Sequence, residues 1–309
     1  VLSLVGSEMC IRDRSMRRTP FAQQPSYPGP MRIPPSDVIT VDIAANIATV
    51  WLDRPDQRNA FGPEAWQDVP AVMEALATDS EVRVIVIAAR GDHFTVGIDL
   101  KAYGPAFMTG TAEGQSPPAS EADRRRGLYR MIKNMQRTMT SIADCPQPVI
   151  AAIHGYCIGA GVDLITACDI RLAAADAVFS VRETRMAMVA DVGTLQRLPA
   201  IVDPGTVADL VYTGRDVDAA EAHAMGLVSR VLPDADALRE AATELANAIA
   251  ANSPLAVQGS KAVLRARAGR VDDALDYVAL WNAAFLHSND LAEAVAAFLE
   301  KRPPKFTGT

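Results

Sequence analysis

The chain is poor in cysteine, has no long apolar run and carries no excess of basic residues. Its four cysteines show no paired metal-site spacing, which favours reduced, partly buried thiols in a cytoplasmic protein. No apolar segment approaches the ~20 residues of a membrane-spanning helix. A net charge of −7 and a pI near 5.2 argue against a nucleic-acid-binding surface. We therefore expect a cytoplasmic protein without membrane or nucleic-acid partners.

Two common catalytic motifs are also absent. The sequence contains neither the GxxxxGKS/T phosphate loop nor the HExxH zinc motif, and we expect no metal. What is present is a chain of 309 residues with 49% hydrophobic content, enough for one large core or a core with a smaller appended domain. Residues 1–35 show no sustained hydrophobic period and become rich in proline, so we expect a disordered or artefactual extension there.

Between residues 36 and 203, strand patterns alternate with helix patterns. The segment "VITVDIAANIATVWLDRP" predicts two short strands with a turn near Asn46, and the apolar runs Val82–Arg90 and Val149–Ile153 predict buried strands. Helical spacing appears in "GPEAWQDVPAVMEALATD" and in "RRRGLYRMIKNMQRTMTSIADC". This alternation indicates a layered α/β fold with mostly parallel strands. From residue 204 to 309 the helical pattern dominates, which predicts a helical C-terminal region that forms an appended or interface layer.

Two junctions between a predicted strand and a predicted helix contain glycine. Residues 96–99 (Val-Gly-Ile-Asp) follow the first buried strand, and residues 159–161 (Gly-Ala-Gly) follow the second. The first N–H groups of a helix have no partner within the helix, and two of them aimed at one oxygen would form an oxyanion hole. The alternative is that the small residues only allow tight turns and close packing.

Three acids are candidates for proton transfer. Asp163 lies in the first turn of the second junction helix, Glu183 follows a predicted strand, and Asp191 lies in the apolar segment "MAMVADVG". Each has a structural alternative, because Asp163 suits a helix start, Glu183 could be a surface residue beside arginines, and Asp191 could cap a short helix. The apolar neighbours of Asp191 argue against that last alternative, since desolvation raises the pKa of a carboxylate toward the range of a general acid or base.

Several segments together resemble the enoyl-CoA hydratase/isomerase (crotonase) superfamily. They are "LDRPDQRNAF", "HFTVGIDL", "PVIAAIHGYCIGAGVDLITACDIRLAAADAVFSV", "GLVSRVLP" and "SPLAVQGSKAVL", in unbroken order over roughly residues 37–305. The resemblance implies a crotonase-like α/β spiral of ββα units with a C-terminal helical trimerisation region. It also implies an acyl-CoA thioester substrate and a homo-trimer or a hexamer built from two trimers.

The resemblance also assigns roles to individual residues. The oxyanion hole falls on the backbone N–H groups of Ile98 and Ala160, and the acids of the family's dienoyl-CoA isomerase branch fall on Asp163, Glu183 and Asp191. A hydratase has glutamate where Asp163 stands, so the shorter side chain puts water addition in doubt. We expect contacts with the acyl-CoA from seven further residues: Arg58, Ala60, Val96, Gly97, Asp99, Gly159 and Lys301.

The implied reaction moves the double bonds of a 3,5-dienoyl-CoA to the 2,4 positions by proton transfer through a stabilised dienolate. It requires no cofactor, since the substrate itself carries coenzyme A. Two alternatives stay open. One is another reaction of the same superfamily, such as enoyl-CoA hydration, a Δ3-Δ2 double-bond shift or thioester hydrolysis. The other is an inert CoA-binding or RNA-associated scaffold, against which the three acids and the acidic pI argue.

Overall fold

The computed structural model describes residues 33–109, 118–252, 254–266, 276, 279–280, 282–283, 286–302 and 304. The predicted extension at residues 1–35 lies almost entirely outside this set. The first described elements are β1 (Ile39–Ala44) and β2 (Ile47–Leu52), which pair in an antiparallel hairpin. Ala45 and Asn46 join them with φ of 50° and 66°, the left-handed conformation that two-residue hairpin turns need. The predicted pair of strands with a turn near Asn46 is therefore confirmed.

Six strands form the main sheet, in the order β1-β2-β3-β4-β6-β9. The four that follow the hairpin are parallel to their neighbours: β3 (Val84–Ala89), β4 (Val149–Ile153), β6 (Ile170–Ala174) and β9 (Arg230–Leu232). Both faces of this sheet are covered, one by the main hydrophobic core and the other by a smaller cluster with helix α8 (Ala235–Ala250). Burial on both faces explains why β3 and β4 are continuous apolar runs.

A second, smaller sheet lies beside the main one. It contains β5 (Tyr156–Ile158), β7 (Val178–Ser180) and β8 (Val217–Asp218), in that order. β4 is thus followed by a short strand of the second sheet and then by helix α4 (Ala160–Ala167), which is the ββα unit expected from the resemblance. A single bridge between Thr95 and Cys157 connects the loop after β3 to β5. The two glycine-containing junctions therefore lie side by side.

Two long helices, α1 (Pro63–Thr78) and α3 (Glu121–Asp144), pack on the core where the sequence predicts helices. Helix α1 contains Pro70, whose ring nitrogen cannot donate to the carbonyl of Trp66. The hydroxyl of Thr138 in α3 donates to that carbonyl instead, at 2.9 Å. The proline is therefore tolerated inside a helix because a neighbouring helix supplies the missing donor.

The remaining helices complete the layers around the two sheets. They are α2 (Leu100–Thr109), α5 (Thr194–Arg197), α6 (Pro204–Thr213), α7 (Ala219–Ala224), α9 (Pro254–Ala266) and α10 (Asn289–Glu300). The division of the chain at residue 203 stays a prediction. Strands β8 and β9 follow that point, and the main core continues across it to Val228. None of the helices in the described ranges is long and apolar enough to span a bilayer.

Candidate active site

A cleft of about 850 Å³ opens where the two glycine junctions meet the loops that follow β7. It contains all three predicted acids, both predicted oxyanion donors and most of the predicted substrate contacts. The predicted residues that line it are Arg58, Ala60, Val96, Gly97, Ile98, Asp99, Gly159, Ala160, Asp163, Glu183 and Asp191. The fold therefore brings together residues that are up to 133 positions apart in the sequence.

One side of the cleft, which we call the amide wall, consists of Gly97, Ile98, Gly159 and Ala160. Gly97 has a φ of +86°, and a Cβ there would lie 2.7 Å from the carbonyl oxygen of Ile158 and 3.3 Å from the nitrogen of Ala160. Only glycine lets the two backbones approach this closely. Neither the N–H of Ile98 nor that of Ala160 donates a hydrogen bond to any other described residue. Both amides are therefore available to a carbonyl oxygen in the cleft.

The small residues of the second junction serve different purposes. Gly159 has a φ of +55°, and a Cβ there would lie 3.5 Å from a carboxylate oxygen of Glu183. Gly161 is needed for packing, because a Cβ would lie 2.7 Å from the side chain of Thr95. Ala160 is the first residue of α4 and needs neither the positive φ of Gly159 nor the close packing of Gly161. Close packing and access to the backbone, the two alternatives that the sequence left open, thus apply at neighbouring positions.

The part of the lining that carries the carboxyl groups, which we call the acid wall, consists of Asp163, Glu183 and Asp191. Asp163 is 1% exposed, and its Oδ1 accepts a 2.6 Å hydrogen bond from the N–H of Thr194. Burial raises the pKa of Asp163 to about 6, whereas the hydrogen bonds from Thr194 and the charge of Arg197 hold that pKa down. Because it bonds to the first residue of α5, Asp163 caps a helix other than its own.

Glu183 begins a short 3-10 turn after β7, next to Arg182. It is not paired with that arginine, which binds Asp216 at 2.5 Å instead. The Oε2 atom of Glu183 is buried and has no hydrogen-bond partner among the described residues. Burial, followed by the negative charges of Asp163 and Asp191, raises the pKa of Glu183 to about 8. Glu183 is therefore a half-buried residue of the cleft and is not paired with the neighbouring arginine.

Asp191 lies in the loop before α5 and does not cap that helix, whose N-cap position is Gly193. The side chain of Asn282 donates to Oδ2 of Asp191, and the side chain of Gln136 donates to its backbone carbonyl at 2.7 Å. Burial raises the pKa of Asp191 to about 7, with the hydrogen bond from Asn282 acting in the opposite direction. The acid wall as a whole therefore retains protons near neutral pH, which suits general acid and base catalysis.

Known proteins resemble this chain in sequence and in fold. A family model described as enoyl-CoA hydratase/isomerase matches residues 42–309. The chain belongs to the enoyl-CoA hydratase/isomerase family. A solved family structure, an enoyl-CoA hydratase from Mycobacterium avium subsp. paratuberculosis K-10, superimposes with a TM-score of 0.75 at 26% identity, covering 88% of this chain and 100% of that one. The crotonase-like α/β fold expected from the sequence is confirmed.

Several relatives in this family share a more specific name. The chain is 42% identical over 271 residues to the peroxisomal Delta(3,5)-Delta(2,4)-dienoyl-CoA isomerase of Arabidopsis thaliana, covering 87% of this chain and 96% of the relative. It is 43% identical over 263 residues to the mitochondrial isomerase of the same name from Rattus norvegicus, covering 84% and 78%. These names overturn the prediction of a cytoplasmic protein, because the similar isomerases are organellar. A low cysteine count reports on redox conditions and does not distinguish the cytosol from other reducing compartments.

Two of the predicted acyl-CoA contacts are not placed to bind a ligand in the cleft in the way that the others are. Asp99 lines the cleft, but its carboxylate is paired with Arg54 at 3.3 Å and accepts from the N–H groups of Lys101 and Ala102 at the start of α2. Lys301 is an exposed residue that ends α10 with a φ of 53° and is not among the residues lining the cleft. Other cations at the cleft were missed by the sequence analysis: Lys101, Arg182, Arg185 and Arg302.

The supports of the acid wall were also missed. Thr194 acts on Asp163 through its backbone N–H, which no side-chain pattern can reveal. Asn282 had a weak signal, since it is a single amide in the apolar stretch "VALWNAAFL". Gln136 looked like one of several polar residues of an amphipathic helix. Within the described ranges, no group of three or more His, Cys, Asp or Glu side chains could hold a metal ion.

Proposed function

We propose that this protein is a Δ3,5-Δ2,4-dienoyl-CoA isomerase. The observation that carries the proposal is that one cleft contains both three carboxyl groups with raised pKa values and two free amides. The relatives of that name, at 42% and 43% identity over most of the chain, support it.

The proposed reaction starts with the thioester oxygen accepting hydrogen bonds from the N–H groups of Ile98 and Ala160. These bonds stabilise the enolate that forms when Glu183 removes a proton from C2. The electron pair of that C–H bond forms C2=C3, and the pairs of C3=C4 and C5=C6 move to form C4=C5 and a new C–H bond at C6. Asp191 supplies the proton for C6. Substrate and product are isomers, so Glu183 and Asp191 only need to exchange one proton before the next turnover.

The role of Asp163 in this scheme is electrostatic. Its carboxyl group has the lowest pKa of the three, and its Oδ1 atom already accepts a hydrogen bond from the N–H of Thr194. Its negative charge raises the pKa of both Glu183 and Asp191, which keeps a proton on the acid wall at neutral pH. Hydration would need two acids that bind the same water molecule. Because Asp163 is buried and already accepts a hydrogen bond from Thr194, it is poorly suited to hold that water, which favours isomerisation over hydration.

No cofactor enters the proposed chemistry, because the substrate carries coenzyme A. The CoA phosphates are expected near Arg58, an exposed residue that lines the cleft. Lys301 does not line the cleft of its own chain, so it would contribute only by reaching the site of a neighbouring subunit. The assay that tests the function is incubation with a 3,5-dienoyl-CoA while the absorbance of the conjugated 2,4-dienoyl product is followed. Rapid hydration of a 2-enoyl-CoA without any 2,4-dienoyl signal would contradict the proposal, and CoA binding without turnover of any acyl-CoA would favour the scaffold.

The proposed assembly is a homo-trimer or a hexamer formed through the C-terminal helices. Four large apolar side chains in that region are more than half exposed in the single chain: Leu264, Leu280, Phe298 and Leu299. An interface formed by the C-terminal helices would cover such side chains. Light scattering coupled to gel filtration is expected to give three or six chains per particle, and a monomer at micromolar concentration would contradict the proposal.

A further inference from the structure

Asp191 is the only member of the acid wall that lies in a loop outside any helix or 3-10 turn. Its side chain is held by Asn282, which is 3% exposed and belongs to the C-terminal region. The Nδ2 group of Asn282 has two hydrogens. It donates one to Oδ2 of Asp191 and the other to the backbone carbonyl of Val189, at 2.9 Å. One amide therefore binds two oxygens of the same loop, two residues apart.

This pattern fixes the orientation of the amide. If Asn282 were rotated by 180° about its last bond, its oxygen would face the carbonyl of Val189 and the carboxylate of Asp191, and neither of them is a donor when Asp191 is ionised. The bonded Oδ2 is thereby held away from other partners. Asn282 does not engage Oδ1 of Asp191, and Asp191 lines the cleft, so Oδ1 is the oxygen to which we assign the proton transfer.

We propose that Asn282 is the positioning residue that presents Asp191 to the acyl chain. The proposal rests on the isomerase function stated above. It means that the C-terminal region contributes to the proton transfer itself, through a residue that does not touch the substrate. Gln136 from α3 holds the same loop from the other side, but it bonds to the backbone of Asp191 and not to the carboxylate.

The charged groups around Asp191 determine how its pKa should respond when the amide of Asn282 is removed. Among the described residues, the ionisable groups that face Asp191 are Glu183 in the 3-10 turn, Asp163 in α4 and, through Asp163, Arg197 in α5. Asn282 and Gln136 are neutral. Removing the amide takes away a hydrogen bond to the charged form and leaves burial and two acids in place, so Asp191 should release its proton only at higher pH.

The test compares Asn282→Ala and Asn282→Asp with the matched control Gln136→Met. Asn282→Ala is expected to lower kcat roughly 10- to 100-fold with little change in KM, because a misdirected carboxyl group affects chemistry more than binding. Its pH optimum should move up by about one to two units, as expected for a lost hydrogen bond to a buried charge. Asn282→Asp keeps the shape but adds a negative charge, so its optimum should move further. Gln136→Met loosens the same loop and should leave the optimum unchanged.

A measurement that does not require turnover separates this proposal from the proposed function. Carboxyl ¹³C NMR, with the Asp191 signal assigned by its absence in Asp191→Asn, reports the titration of Asp191 directly. An upward shift in Asn282→Ala but not in Gln136→Met supports the proposal, even if the wild type fails to isomerise a 3,5-dienoyl-CoA and the function is wrong. An unchanged titration in Asn282→Ala, or the same shift in both variants, overturns it.

Discussion

The two walls of the cleft are built in opposite ways. The amide wall consists of backbone atoms from two neighbouring junctions, held by β5, by the Thr95–Cys157 bridge and by glycines that permit close approach. The acid wall consists of side chains from α4, a 3-10 turn and a loop, and its supports come from α3, α5 and the C-terminal region. One wall is therefore fixed by local geometry, and the other depends on packing across the whole chain.

The difference has a chemical consequence. Backbone amides do not titrate, so the amide wall should be indifferent to pH. On the acid wall, burial raises the pKa of all three acids, and repulsion by neighbouring carboxylates further raises the pKa of Glu183 and Asp191. Removal of one acid should stop the reaction without disturbing oxygen binding, and removal of one amide should weaken oxygen binding without disturbing the protons. The predictions below test this separation.

The largest effect is expected for Asp191→Asn. The substitution keeps the shape and an acceptor for Asn282 but removes the group that delivers the proton to C6, so isomerisation should fall roughly 10²- to 10⁴-fold. Binding of CoA, measured by calorimetry, should stay within about twofold of the wild type. A variant that retains most of its isomerase activity would show that Asp191 is not a proton carrier.

A smaller loss is expected for Ala160→Pro. Proline suits the first residue of a helix and deletes only the N–H there, so the fold should survive while one oxyanion donor is lost, at a cost of about 10²- to 10³-fold in kcat. Ala160→Gly keeps the N–H and is the matched control, with activity near that of the wild type. Equal activity of the two variants would argue that no amide at position 160 binds the substrate.

How far the sequence predicts these walls follows from their construction. The hairpin, the buried strands β3 and β4 and the helices α1 and α3 carry local patterns, and so does the glycine pair at residues 97 and 159. The resemblance to the family added the roles of the acids. What the sequence could not give is the supporting contacts, because the bond from Thr194 to Asp163 spans 31 residues and that from Asn282 to Asp191 spans 91. The prediction of cellular location failed because it depended on cysteine content alone.

The pH dependence of isomerisation should be bell-shaped, with its maximum between about pH 7 and pH 8. Below the pKa of Asp191, about 7, both it and Glu183 hold protons and no base is available; above the pKa of Glu183, about 8, neither can donate. This holds whichever acid carries the shared proton. A profile of kcat against pH, in overlapping buffers at constant ionic strength, measures it, and a flat profile from pH 6 to 9 would contradict the raised pKa values. Ala160→Gly should show the same profile, since the amide wall carries no proton.

The smallest effect is on stability and comes from the same buried acid. The pKa of Glu183 is raised from 4.5 in the unfolded chain to about 8 in the fold, so the folded state holds a proton that the unfolded state releases. The contribution of this proton to stability is then fully present below about pH 4.5, declines as the pH rises above that value and is lost above about pH 8. Glu183→Gln cannot ionise, and its free energy of unfolding relative to the wild type should improve by a few kcal/mol between pH 5 and pH 8.5. Urea denaturation at the two pH values measures this change, and Ala160→Gly is the control in which no pH-dependent difference is expected.

A constant difference between Glu183→Gln and the wild type at all pH values would mean that Glu183 is solvated in the folded state, and the acid wall would then lack the strong base that removal of the C2 proton requires.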